Sequence, residues 1–324
     1  MKKVAAITGI TGQCGSFLAE KLLNENYDVY GFVRKSSSFS RDRIEHLLNN
    51  PNIKLFYGDL ADTSSINNFV SVSKPDYFFN FGAMSHVRTS FDIGEYVADV
   101  DGTGVMRCLE AIKILSPQTR FLQASTSELF GSSPAPQNEK TAMCPQSPYG
   151  IAKLAGYWTT RLYRQSYDLF AVNSISFNHE SKNRAPTFLT MKVVKGFCDI
   201  KKGKQKELVL GNLDAKRSWN HVSDVVDGML LMLNANKPDD YVIGSNKMIS
   251  VQEFVERVAN KLNLNWQDYV RIDPIYYRPS EVDELEPDST KIKTELGWTP
   301  KYSVDDIIDE MMEECMKNEK NNNF

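Results

Sequence analysis

The stretch Val4 to Leu23 constrains the fold more than any other. Val4-Ala5-Ala6-Ile7-Thr8 is a short apolar strand candidate, and Gly9-Ile10-Thr11-Gly12-Gln13-Cys14-Gly15 follows at once, leading into the helix-like run Ser16 to Leu23. Glycines in such a turn let backbone amides approach a pyrophosphate, and the helix N-terminus supplies partial positive charge. Strand, glycine turn and helix in that order therefore predict a phosphate cradle.

The same alternation recurs downstream. Strand candidates at Asp28–Val33, Ile53–Tyr57, Tyr77–Phe81, Thr119–Ala124 and Phe170–Phe177 are separated by helical patterns, including one from Thr63 and one from Tyr149 to about Tyr167. Strands alternating with helices imply an α/β fold with a Rossmann-type, doubly wound parallel sheet, whose ligands sit beyond the carboxyl ends of the strands. Asp59, Gly82, Ala83 and Ser125 fall at such ends. From Asn178 the pattern changes to loops, basic residues and scattered helices near Thr187, Val222–Asn234, Ser250–Leu262 and Ser303–Cys315. Residues 1–177 are thus expected to form the dinucleotide-binding domain. Residues 178–316 are expected to form a smaller, mixed α/β substrate cap with segments returning to the main sheet, and 317–324 a frayed polar tail.

The second strand ends in Arg34-Lys35. An NAD site usually carries a carboxylate there, whereas an arginine accommodates the 2′-phosphate of NADP. Arg34 therefore points to NADP, and Arg43, on the helix expected after it, is a second candidate. Tyr149 and Lys153 are four residues apart, neighbours on one face of a helix. An adjacent ammonium favours a phenolate, so the pair is expected to lower the tyrosine from its usual ~10 and to transfer protons near neutral pH.

Composition removes other classes. At 324 residues, with 41% hydrophobic and 24% charged, the chain can bury a substantial core and is neither disordered nor fibrous in character. A formal net charge of -3 leaves no basic footprint for nucleic acid. The opening Met1–Ile7 is broken by Thr8 and Gly9 before a signal-peptide core forms, and no apolar run of about 18 residues follows, so no membrane span is expected. Five scattered cysteines, Cys14, Cys108, Cys144, Cys198 and Cys315, lack metal-ligand spacing and fit a reducing cytoplasm with no metal site.

Several longer phrases resemble one family. Gly9-Ile10-Thr11-Gly12-Gln13, Arg43-Ile44-Glu45-His46-Leu47, Gln123-Ala124-Ser125-Thr126-Ser127-Glu128-Leu129, Phe177-Asn178-His179-Glu180-Ser181, Gly211-Asn212-Leu213-Asp214-Ala215-Lys216-Arg217 and Tyr277-Arg278-Pro279 occur in order. Together with Tyr149 and Lys153 they resemble the extended short-chain dehydrogenase/reductases and, within them, the GDP-mannose 4,6-dehydratases, from Ala6 through Pro300.

The resemblance implies an NADP-dependent lyase that makes a 4-keto-6-deoxy sugar nucleotide with its cofactor recycled in each turnover. Tyr149, with Lys153 and Thr126, would take the O4 proton while hydride leaves C4. Glu128 would remove the C5 proton and help O6 leave as water, and hydride would return to C6. Implied cofactor residues are Gly9, Gly12, Gln13, Gly15, Arg34, Asp59, Leu60, Ser85, Tyr149 and Lys153. Implied nucleotide-sugar residues are Ser85, Asn178, Glu180, Lys192, Gly211, Lys216, Arg217, Arg278 and Glu281. The family also implies a homotetramer, or a dimer, with Lys35–Arg43 near a neighbouring subunit's cofactor. Lys35 stands where an arginine is usual, and lysine lacks the bidentate fork.

Departures concentrate near the sugar. After Glu180 the usual proline, paired arginines and glycine become Ser181-Lys182-Asn183-Arg184-Ala185-Pro186-Thr187, Met191 replaces an arginine, Met84 a glutamine and Cys14 an aspartate expected to face away from the phosphates. The sugar is thus either mannose or a manno-heptose, both GDP-linked. A GDP-sugar epimerase or reductase is the alternative enzyme reading, which Glu128 disfavours because epimerases on this scaffold need no C5 base. A non-catalytic NADP-binding protein is a third, disfavoured by the presence of both Tyr149 and Lys153.

Overall fold

The computed structural model describes residues 2–35, 41–245, 247–276, 280, 282 and 284–317. The expectations for Arg278, Glu281 and the tail 318–324 therefore lie outside the described residues.

Strand β1 (Val4–Thr8) is buried on both faces, which its unbroken apolar run requires of an interior parallel strand. It pairs in parallel with β2 (Asp28–Val33) on one side and β4 (Tyr77–Asn80) on the other. Strands β3 (Ile53–Tyr57), β5 (Arg120–Thr126), β6 (Ala171–Ser176) and a seventh strand, Asp240–Ile243, complete a seven-stranded parallel sheet. Its order is seventh–β6–β5–β4–β1–β2–β3, so the winding reverses between β1 and β4. That switch point opens a crevice at the carboxyl ends, where a doubly wound sheet takes its ligand.

One face is packed by Leu18 and Leu22 of the first helix, Gln13–Asn24, together with Val225, Met229 and Trp298. The other carries Phe69, Phe78, Leu109, Phe121 and Tyr163. A separate apolar cluster joins Val193, Phe197, Trp219, Phe254, Val258, Ile307 and Met311 from the C-terminal half. The seventh strand and the helix Val222–Asn234 return from that half to the main sheet, pairing with β6 and packing on the first helix.

The helix Pro148–Tyr167 follows from its local sequence. The Ser147 hydroxyl accepts from the Gly150 amide at 3.0 Å, and Pro148 occupies the first turn, where its missing N–H costs nothing. Loss of that cap would cost about 1 kcal/mol. The helix expected around Arg43 is instead one 3-10 turn, Glu45–Leu47. Asn49-Asn50-Pro51 stops it, because the residue before a proline resists helical geometry.

Candidate active site

A cavity of about 810 Å³ opens at the switch point and runs from the glycine turn, past the end of β5, to the C-terminal half. Every residue expected to hold the cofactor reaches its wall: Gly9, Gly12, Gln13, Gly15, Arg34, Asp59, Leu60, Ser85, Tyr149 and Lys153. Two glycines there are sterically required. Gly9 has φ +66 and a Cβ would stand 2.8 Å from the Gly82 nitrogen, while a Cβ on Gly15 would come within 2.3 Å of the Gly9 carbonyl. Such a cradle, lying against a helix N-terminus, fits a dinucleotide pyrophosphate.

Gln13 carries a second duty that the sequence did not signal. Its side chain donates to the His179 carbonyl at 3.0 Å and accepts from the Ser181 hydroxyl at 2.9 Å, tying the glycine turn to the loop after β6. Arg43 reinforces the tie by donating to the carbonyls of Asn183 at 2.7 Å and Thr11 at 3.3 Å. Arg34, exposed at the end of β2, donates to the Tyr96 hydroxyl. No carboxylate stands beside it in sequence, Lys35 being its neighbour.

Cys14 stands in the first turn of the first helix, with its sulfur turned to a side chain of the loop after β6. Its sulfur lies 3.0 Å from His179 Nε2, and His179 Nδ1 lies 2.8 Å from the Phe177 carbonyl. The carbonyl can only accept, so Nδ1–H donates to it and Nε2 accepts from the thiol. Burial pushes the thiol up to about 12 and the imidazole down to about 4.

The chemical wall comes from β5 and the helix Pro148–Tyr167. Glu128, at the strand's end, is buried but lines the cavity beside Ser127, Tyr149 and Lys153. Thr126 stands behind it rather than on the wall, its hydroxyl accepting from the Glu128 amide at 3.2 Å and reaching the Tyr149 phenol. Lys153, 3% exposed, donates to the Ala124 carbonyl at 3.0 Å and lies 5.8 Å from the Tyr149 ring centre.

One expectation is reversed here. The Tyr149 phenol is pushed up rather than down, first by burial and then by the Asp101 carboxylate, with Glu128 adding to both; Thr126 and Arg184 oppose them. Lys153 does not dominate because its own charge is penalised by burial and only partly supported by the field of Asp101.

Across the cavity, Asn178, Glu180, Lys192, Gly211 and Arg217 line the opposite wall, whereas Lys216 does not. Lys216 is exposed, 3.9 Å from Glu284 across a small sheet. Glu180 is fully engaged within the wall: it accepts from the Thr190 hydroxyl at 2.6 Å and pairs with Arg184 Nε at 3.0 Å, an ion pair without hydrogen-bond alignment. Arg184 lies 3.7 Å over the Phe188 ring and also faces the cavity. Arg217 is buried and donates to the carbonyls of Lys216 at 2.7 Å and Val282 at 2.6 Å. The Lys192 ammonium sits 4.0 Å over the Tyr276 ring, and burial lowers its pKa.

Met191, expected to change the sugar's surroundings, is buried 3.9 Å from the Cys315 sulfur in the C-terminal core and is not on the cavity wall. Sequence reasoning also missed Tyr96, Phe188, Tyr276 and Asp101. The first three are single aromatics in loops or short helices, without a spacing to mark them. Among the described residues no cluster of His, Cys, Asp and Glu could hold a metal ion, and no helix is long and apolar enough to cross a membrane.

Comparison with known proteins adds an independent line. The family model for GDP-mannose 4,6 dehydratase matches residues 6–311. GDP-mannose 4,6 dehydratase 2 of Arabidopsis thaliana is 45% identical over 326 residues, covering 98% of this chain and 87% of its own length. The GDP-mannose 4,6 dehydratase of Homo sapiens is 45% identical over 337 residues, with 96% and 91% covered. DesIV, a dTDP-glucose 4,6-dehydratase from Streptomyces venezuelae solved with NAD and TYD bound, superposes with a TM-score of 0.87 at 22% identity, over 98% of this chain and 97% of its own. At that identity the superposition establishes the shared fold.

Proposed function

The chain belongs to the GDP-mannose 4,6 dehydratase family, and from that premise we infer that its cavity removes water across C5–C6 of a GDP-linked manno-configured sugar. The enzyme is a hydro-lyase of nucleotide-sugar metabolism, making a 4-keto-6-deoxy product. A nicotinamide cofactor held by the Gly9–Gly15 turn and Arg34 would supply a reversible hydride acceptor between C4 and C6, so that none would be consumed.

The observation that carries the reading is Glu128 sharing one wall with Tyr149 and Lys153. Tyr149 acts as the phenolate: Lys153 offsets its negative charge before the transfer, and taking the O4 proton as C4 is oxidised returns it to a neutral phenol. The ketone at C4 acidifies the C5 proton, which Glu128 removes; the protonated Glu128 then gives that proton to O6 as it departs as water. Thr126 orients both groups, through the Glu128 amide and the Tyr149 phenol. An epimerase would have no use for a carboxylate at this point.

NADP is the cofactor we assign, on Arg34 at the end of β2. Residues 1–177 form its domain, and 178–316 mainly the cap, apart from the strand Asp240–Ile243 and the helix Val222–Asn234 that return to the main sheet. For the diphosphate we assign Arg217, Lys192 and Arg278, with Lys216 at the rim, and for the sugar and ribose Ser85, Asn178, Glu180, Gly211 and Glu281. Guanidinium and ammonium donors suit a diphosphate. Assembly as a homotetramer in the cytoplasm completes the proposal.

GDP-mannose and a GDP-manno-heptose remain the two substrates. Met191 lies away from the cavity, so the loop's altered character reaches the sugar through Arg184, Thr187 and Phe188 instead. Incubating the purified protein with each nucleotide and reading products by mass spectrometry decides between them. Loss of one water without net cofactor reduction is expected for one or both, and failure with both removes the GDP-sugar assignment.

A further inference from the structure

Between Gly94 and Leu115 the helical run is interrupted by a π-turn, Ala98–Thr103, and within it stands Asp101, 1% exposed. One carboxylate oxygen, Oδ1, accepts from the Met84 amide at 2.8 Å. The other, Oδ2, is buried and has no hydrogen-bond partner. A buried carboxylate left half-satisfied is costly unless an opposite charge faces it, and π-turns inside helices recur at functional sites.

The π-turn packs on the helix Pro148–Tyr167 at the turn that carries Lys153. A Cβ built on Gly156 would stand 3.2 Å from the Asp101 carbonyl, and one on Gly102 would stand 3.4 Å from the Ala152 carbonyl. That close approach of the two backbones brings the carboxylate into the field of the buried ammonium without a direct ion pair, and the ammonium's hydrogen bond to the Ala124 carbonyl supplies a dipole but no countercharge.

We propose that Asp101 is a positioning residue for the Tyr149–Lys153 pair, its half-satisfied buried carboxylate supplying the countercharge that keeps the Lys153 ammonium in this apolar setting. The inference rests on Tyr149 and Lys153 being the proton-transfer pair. Asp101 supports the charged form of Lys153 against burial and, in the same field, resists ionisation of Tyr149; the Asp101 carboxyl is itself raised by burial and held down by Lys153 and the Met84 amide. Glu128 and Arg184 also face Tyr149, with opposite signs, and Thr126 donates to it. Lys153 and Asp101 therefore behave as a neutral pair, and the phenol keeps its proton until substrate is seated.

Asp101→Asn tests this, because the amide oxygen can still accept from Met84 while the charge is gone. Both limbs of the kcat/KM pH profile are expected to move about one pH unit toward acid, since Tyr149 and Lys153 would each deprotonate more readily. A slower enzyme whose limbs stay where they are in wild type would mean packing alone and would overturn the proposal. A second measurement needs neither turnover nor that variant. In Lys153→Met the orphaned Asp101 is expected to take up a proton, giving a protonated-carboxyl infrared band in the difference from wild type that shifts on 13C-aspartate labelling; absence of that band overturns the proposal. A wild type unable to dehydrate either nucleotide would instead defeat the functional reading, with the infrared result standing on its own.

Discussion

The two walls of the cavity are built by different means. On the wall of Thr126, Glu128, Tyr149 and Lys153, each group is placed by short-range backbone structure: the end of an interior strand, the Thr126-capped 3-10 turn Ser127–Leu129 that follows it, and the first turns of a capped helix. The wall from Asn178 to Lys192 hangs on a two-residue strand, His179–Glu180, and on side chains that lock into one another, Gln13 to Ser181, Asn183 to Ser16, and Glu180 to Thr190 and Arg184. Repeating elements hold atoms tightly enough for proton transfer. A loop pinned by side chains can change its residues, and hence its ligand, while the sheet stays as it is. Damage to the first wall should lower kcat, and damage to the second should raise KM.

Glu128→Gln is the hardest blow to the first wall. The amide fills the same space and Thr126 still bonds its backbone, but it cannot take the C5 proton. Dehydration is expected to fall by about a thousandfold or more, as loss of a positioned base does. Cofactor binding should persist and slow C4 oxidation should remain, read as reduced nicotinamide absorbance accumulating with substrate. Near-normal product from this variant would place the elimination chemistry elsewhere.

The same contrast explains what the sequence disclosed. Val4–Thr8 with its glycines, the helical run from Tyr149 to about Tyr167, and the run Val222–Asn234 all announce themselves in the sequence, and all form as expected. The direction of the Tyr149 pKa did not, because it depends on burial and on Asp101, 48 positions away in the chain, and neither is visible in a spacing of four. Met191 misled for a related reason. A charge lost from a loop matters to a ligand only if the side chain faces it, and helix Leu189–Lys201 turns this one into the core. Arg184 stood in the altered loop in plain sight, but its ion pair with Glu180 and its stacking on Phe188 are tertiary facts.

Glu180→Gln sharpens the comparison from the other side. Gln keeps an acceptor for Thr190 but removes the countercharge of Arg184. The guanidinium, still stacked on Phe188, would lose its anchor. KM for the nucleotide sugar is expected to rise ten- to hundredfold, the scale of about 1.4 to 2.7 kcal/mol for a charged contact, with kcat within a few-fold of wild type. A large fall in kcat at unchanged KM would erase the division of labour between the walls.

The smallest effect tests whether the loop wall is held by neutral groups. His179 bonds the Phe177 carbonyl through Nδ1 and meets the Cys14 thiol through Nε2, and burial holds it down to about 4. In the unfolded chain the same ring titrates near ~6.5. Between those values the unfolded state binds a proton that the folded state refuses, so stability rises with pH through this window and is lost as pH falls from about 6.5 toward about 4. Between roughly pH 6.5 and roughly pH 5.5 that one group should cost wild type about 1 kcal/mol. In His179→Asn, urea unfolding midpoints should decline less steeply over that interval, because asparagine does not titrate and carboxylates common to both proteins cancel in the difference. Parallel declines would mean that His179 accepts its proton without leaving its place, and that the wall tolerates a charge beside Cys14.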